Sequence, residues 1–195
     1  MNLVDRAKSI IMTPKTEWPK IAVEEPNIGQ IFTGYVLPLA LIPTVASIIG
    51  WGFFGSHSFT YGIATGLVAL ISAFISVYLA AFVIDFLAPN FSSQKNLGRA
   101  VQLVAYSFTP MWLGGIFNLI PVISWIGGLI GLYGLYLMYL GIGHMMKTPQ
   151  DKVMTYLIVS IIVLLVVYFV VAAILGVIMF GIFGISALTA TMTGM

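Results

Sequence analysis

Five apolar runs decide what this chain can fold into: residues 31–54, 61–88, 100–120, 122–146 and 153–180. A helix needs about 20 mostly apolar residues to cross lipid, and each run has that length. No Asp, Glu, Lys, Arg or His stands at the centre of any of them. Backbone crossing hydrocarbon must satisfy its own hydrogen bonds, which unbroken runs of this length do as helices. The expected fold class is therefore all-α and integral to the membrane, with five transmembrane helices. Composition agrees: 7% of residues are charged and 60% hydrophobic, where soluble domains carry about 25% charged. A sixth span would need a break at Gly176, and the remainder, 177–188, is too short to cross. The expected organisation is a segment 1–30, a membrane domain 31–188 and a small polar tail 189–195.

Lys and Arg in short loops orient such chains, with the cationic side cytoplasmic. Arg6, Lys8, Lys15 and Lys20 precede the first run. Lys95 and Arg99 lie between the second and third, and Lys147 and Lys152 between the fourth and fifth. With five crossings all eight cations fall on one side. The expectation is an N-terminus in the cytoplasm and a C-terminus outside. A net charge of +2 gives no reason to expect nucleic acid as a partner; membrane lipids, and a homo-oligomer or larger membrane complex, are the expected ones.

The segment before the first run is amphipathic. Leu3, Val4, Ala7, Ile10 and Ile11 fall on one helical face, and Asn2, Asp5, Arg6, Lys8 and Ser9 on the other. It reads as a short interfacial helix ended by Pro14, lying on the leaflet or packed under the bundle; the pattern does not separate the two. Asn27, three residues before Gln30, has the spacing of a variant capping box.

Inside the spans, Pro38, Pro43 and Pro110 each remove a backbone donor and kink a helix, as hinges or as static bends. Gly127, Gly131, Gly134 and Gly141 put a smooth stripe on the fourth span, suited to close helix contact. The third span, joined to the fourth by the tight turn at Pro121, is the expected partner.

Asp85 stands within a turn of Pro89 at the cationic end of the second span. A charge there is far cheaper than at mid-bilayer. It is expected as an edge residue, reaching water or pairing with Arg99 or Lys95. Arg99, Gln102, Tyr106 and Thr109 share one face of the third span, and His144 falls level with Asp85 at the same end of the fourth. Asp85, Arg99, Gln102, Tyr106 and His144 are thus candidates for a cytoplasmic-side polar vestibule; the alternative is that they are separate residues at the headgroups.

No catalytic residue, metal site or cofactor motif is visible. With no Cys, thiolate ligands and thiol nucleophiles are excluded. His57 and His144 fall at opposite ends of the membrane. There is no HExxH, phosphate loop or nucleophile elbow. A non-enzyme is expected.

Two stretches carry a family resemblance. "AVQLVAYSFTPMWLGGIFNLIP" at 100–121 and "GLYGLYLMYLGIGHMMKTPQDK" at 131–152 resemble the Yip (Ypt-interacting protein) family of five-span membrane proteins. The opening "MTPKTEWPKIAVEE" is similar to the pre-membrane segment of its bacterial members. The resemblance implies five spans. Eukaryotic relatives are tied to Rab GTPases and vesicle traffic, but their longer N-terminal region has no match here, so that role is not carried over. For prokaryotic members it implies no established activity. The expected function is non-enzymatic: membrane organisation, or an accessory or assembly subunit. The alternative is a small transporter or channel for a neutral or weakly polar solute.

Overall fold

The computed structural model describes residues 2–54 and 59–179, with side chains to residue 170. His57, the end of the last expected span and the tail lie outside these residues. Five described helices are long and apolar enough to cross a membrane: Ile28–Phe54, Phe59–Phe91, Leu97–Leu119, Pro121–Met145 and Gln150–Val170. These are the first to fifth spans. The described residues up to Leu157 form one compact unit, and those from Ile158 form a second.

Two short helices precede the spans, α1 (Leu3–Met12) and α2 (Pro14–Ile21). Asn2 caps α1, its side chain accepting from Asp5 N–H at 2.8 Å. α2 was not anticipated from sequence. Pro14, expected only to end α1, also opens α2 at its first turn, where a missing N–H costs nothing. The buried stripe of α1 is Arg6, Ala7 and Ile10, while Val4 is 69% exposed. This corrects the expected faces: Arg6 is turned in and Val4 out.

Asn27 caps the first span, its side chain accepting from Gln30 N–H at 3.0 Å. The next turn, Phe32–Val36, is a π-helix, with Leu37 N–H reaching back to Phe32 O. Pro38 has no N–H for the carbonyl of Gly34, and a widened turn absorbs such a gap. Pro43 lies within the α-helix Leu37–Ile49 that follows. The third span breaks at Phe108, between helical stretches Leu97–Ser107 and Thr109–Gly114. Pro110 cannot donate to Tyr106 O, and the Thr109 hydroxyl does so instead, at 2.7 Å.

The third span is the interior one: 72% of its apolar window is buried, against 33% for the second and fourth. The fourth span lies along it through glycines. A Cβ at Gly127 would stand 2.6 Å from Gly114 O, and one at Gly134 only 2.5 Å from Ser107 O. Gly131 faces Met111, and Gly141 faces Leu103 and the indole of Trp18.

Candidate functional site

The three segments that hold every Lys and Arg are joined to one another. Gln94 N–H donates to Met146 O at 2.7 Å, and the Ser93 and Thr148 hydroxyls lie 2.8 Å apart. Lys152 Nζ donates to Ser92 Oγ at 2.7 Å. These tie the second-to-third connection to the fourth-to-fifth. Arg99 reaches from the third span to the carbonyls of Glu24 (2.6 Å) and Ile21 (3.2 Å), tying in the end of α2.

Beneath α1 lies a charged cluster. Arg6, 7% exposed, donates to Glu17 Oε1 at 2.7 Å and to Glu24 Oε1. Lys20 donates to the other oxygen of Glu17 at 3.2 Å. A buried cation is tolerated only when paired and hydrogen-bonded, and two carboxylates from α2 and the strand of chain after it supply this. The guanidinium also stands over the ring of Tyr106, 5.5 Å from its centroid. Tyr106 meets Tyr35 edge-on at 4.7 Å and Trp18 at 6.5 Å. The hydroxyls of Tyr35 and Thr109 are 2.7 Å apart. Because Thr109 spends its proton on Tyr106 O, Tyr35 is the donor. The π turn that brings Tyr35 inward and the break that frees Thr109 are thus parts of one contact.

Between α1, the start of the first span and the third span is a polar cavity of about 260 Å³. Gln102 and Tyr106 line it, with Arg6, Tyr35, Glu24 and Glu25. Arg99 stands next to it, its guanidinium 3.4 Å from Gln102 Oε1. Three of the five expected vestibule residues, Arg99, Gln102 and Tyr106, therefore gather here. Asp85 and His144 are not on this cavity. Asp85 is 7% exposed, and its Oδ1 has no hydrogen-bond partner among the described residues. Its expected pairing with Arg99 or Lys95 is not made: Arg99 is committed to the carbonyls of Ile21 and Glu24. His144 is exposed on the last turn of the fourth span. Among the described residues, no three His, Asp or Glu come together in a way that could hold a metal ion.

Sequence reasoning passed over Arg6, Glu17, Glu24 and Tyr35. One signal was present: Arg6 lies three and four residues from Leu3 and Ile10, on the apolar stripe itself. Its partners come from a helix whose existence was not expected, so the cluster stayed hidden.

A buried interior span, glycine-mediated packing and a pre-membrane helical hairpin held on the bundle define the class: a polytopic helical membrane protein. Sequence comparison carries this to a family. The chain belongs to the Yip1 domain family, whose sequence model matches residues 8–174. It is similar to the inner membrane protein YohC of Escherichia coli strain K12, 29% identical over 156 residues, covering 73% of this chain and 80% of that protein. The protein of the same name from Escherichia coli O6:H1 matches equally. No solved structure matches the chain.

Proposed function

We propose that this chain is a non-enzymatic membrane-organising protein or accessory subunit, set in the inner membrane with its N-terminus and all eight cations in the cytoplasm. The observation that carries this is how the buried ionised groups are used. Arg6, Glu17 and Arg99 are bonded to groups of the same chain, so they build the fold. What the protein offers its surroundings is shape. An apolar groove of about 640 Å³ runs between the first and second spans, lined by Phe32, Phe74, Ile75, Tyr78, Leu79 and Phe82. The exposed side of α1, with Val4, Lys8 and Met12, suits an interface where apolar groups dip into lipid and lysines reach its phosphates. In this reading a second membrane helix, from another copy or another subunit, fills the groove.

Gentle extraction from native membranes with mass spectrometry of the intact assembly tests this. A stoichiometric second membrane chain or a homo-oligomer, released by Leu79→Trp, is the expected result. A wild-type protein that is monomeric and carries no other chain overturns it. The orientation fails separately if a tag at the C-terminus is reached from the cytoplasm.

The polar cavity favours the alternative, passage of a neutral or weakly polar solute, with the bent first span as its moving part. Liposome flux with Asp85→Asn, Gln102→Ala and His144→Ala tests it. Flux lost only in Gln102→Ala would place the path through the cavity; no flux of any solute, or flux untouched by all three, removes the idea.

A further inference from the structure

The cavity beneath α1 is a built site whose polar groups are only partly used. Gln102 is 2% exposed and Tyr106 8% exposed. They stand one turn apart on the same face of the third span, and both line the cavity. The Oε1 of Gln102 is turned to Arg99. Its amide N–H groups and the Tyr106 hydroxyl have no hydrogen-bond partner among the described residues. Neither is among the fully buried atoms left without a partner, so both open onto the cavity and can bond whatever enters it. The other side of the cavity is its exposed rim, with the Glu24 side chain 42% exposed and Glu25 exposed beside it. Glu24 uses one carboxylate oxygen on Arg6, and Glu25 forms no ion pair among the described residues. So donors stand on the third span, beside the positive guanidinium groups of Arg6 and Arg99, and unspent carboxylate oxygens stand opposite. At about 30 Å³ per water, the volume corresponds to on the order of nine waters. A small headgroup or solute fits that volume.

We propose that this cavity binds a compact zwitterion, a primary amine bearing a phosphate or carboxylate. Its anionic oxygens accept from Gln102 Nε2 and the Tyr106 hydroxyl, and its ammonium donates to Glu24 and Glu25. Two sources supply this chemistry: the phosphoethanolamine headgroup of a membrane lipid, and a free amino acid. Primary ammonium matters, because it donates three hydrogen bonds where a quaternary one donates none. The site depends on neither the assembly role nor solute passage.

The test uses the full-length protein in detergent micelles, followed by its thermal unfolding midpoint. Four probes are added separately: short-chain phosphatidylethanolamine, free phosphoethanolamine, free serine, and phosphocholine. A ligand at a hundredfold excess over its dissociation constant is expected to raise the midpoint by about 5–10 °C. A rise with the lipid alone assigns the site to a headgroup; a rise with free phosphoethanolamine or serine as well assigns it to a soluble zwitterion. Tyr106→Phe and Glu25→Gln, which leave the packing in place, are expected to weaken binding roughly tenfold each. No rise with any amine probe overturns the proposal. So does an equal rise with phosphocholine, or a rise that both variants keep in full. Gln102→Leu is a supplementary variant, read only if its unliganded midpoint matches wild type.

Discussion

The third and fourth spans are held together in two different ways along their length. Towards the turn at Pro121 the contact is backbone against backbone, Gly127 on Gly114 and Gly134 on Ser107. Towards the cationic end a third party enters: Trp18 of α2 seats on Gly141, and Arg6 of α1 stands over Tyr106. In hydrocarbon, apolar side chains gain nothing by leaving lipid for protein, so close approach through small residues does the work. Near water, charge and aromatic area become usable, and the N-terminal hairpin brings both. The hairpin is thus a substitute, at one end, for the glycine contact that serves at the other.

Five variants probe that comparison, and unfolding midpoints in micelles read all of them. Arg6→Ala leaves Glu17 Oε1 without its donor, Lys20 holding the other oxygen, and is expected to cost about 2–3 kcal/mol; replacing both charges, Arg6→Met with Glu17→Met, is expected to restore most of it. A small loss in the single variant would make the cationic end dispensable. Gly134→Ala drives a methyl against Ser107 O, a backbone atom that cannot yield easily, at an expected cost of about 1–3 kcal/mol. Tyr35→Phe removes the hydroxyl that donates to Thr109 and is expected to cost about 0.5–1.5 kcal/mol. Gly128→Ala meets nothing within 4 Å and is expected to change stability by less than about 0.5 kcal/mol. If Gly128→Ala and Gly134→Ala prove equal, the close approach of the spans is not what holds them.

The membrane architecture was legible in the sequence because hydrocarbon imposes one rule on every spanning segment. The third span was expected at 100–120 and stands at Leu97–Leu119, and the fourth, expected at 122–146, stands at Pro121–Met145. The site was legible only along single helices. Spacing put Arg99, Gln102 and Tyr106 on one face; the last two line the cavity and Arg99 stands beside it. Spacing could not say which neighbour each face meets. Asp85 and His144 are expected from sequence at the level of that trio, yet level along a membrane does not fix direction around the bundle. The Arg6 cluster was hidden for a further reason. Its three members come from α1, α2 and the chain after α2, and α2, with two prolines in "PKTEWPKI", has little of the periodicity that marks a helix.

The salt-bridged triad has a consequence for biogenesis. Its three members all lie in the first 24 residues, so the hairpin emerges from the ribosome with its own countercharges, long before Tyr106 and Gly141 are synthesised. Arg6 therefore needs no countercharge from the spans. The hairpin's seat is supplied by the third and fourth spans, through Trp18 on Gly141 and Arg6 over Tyr106.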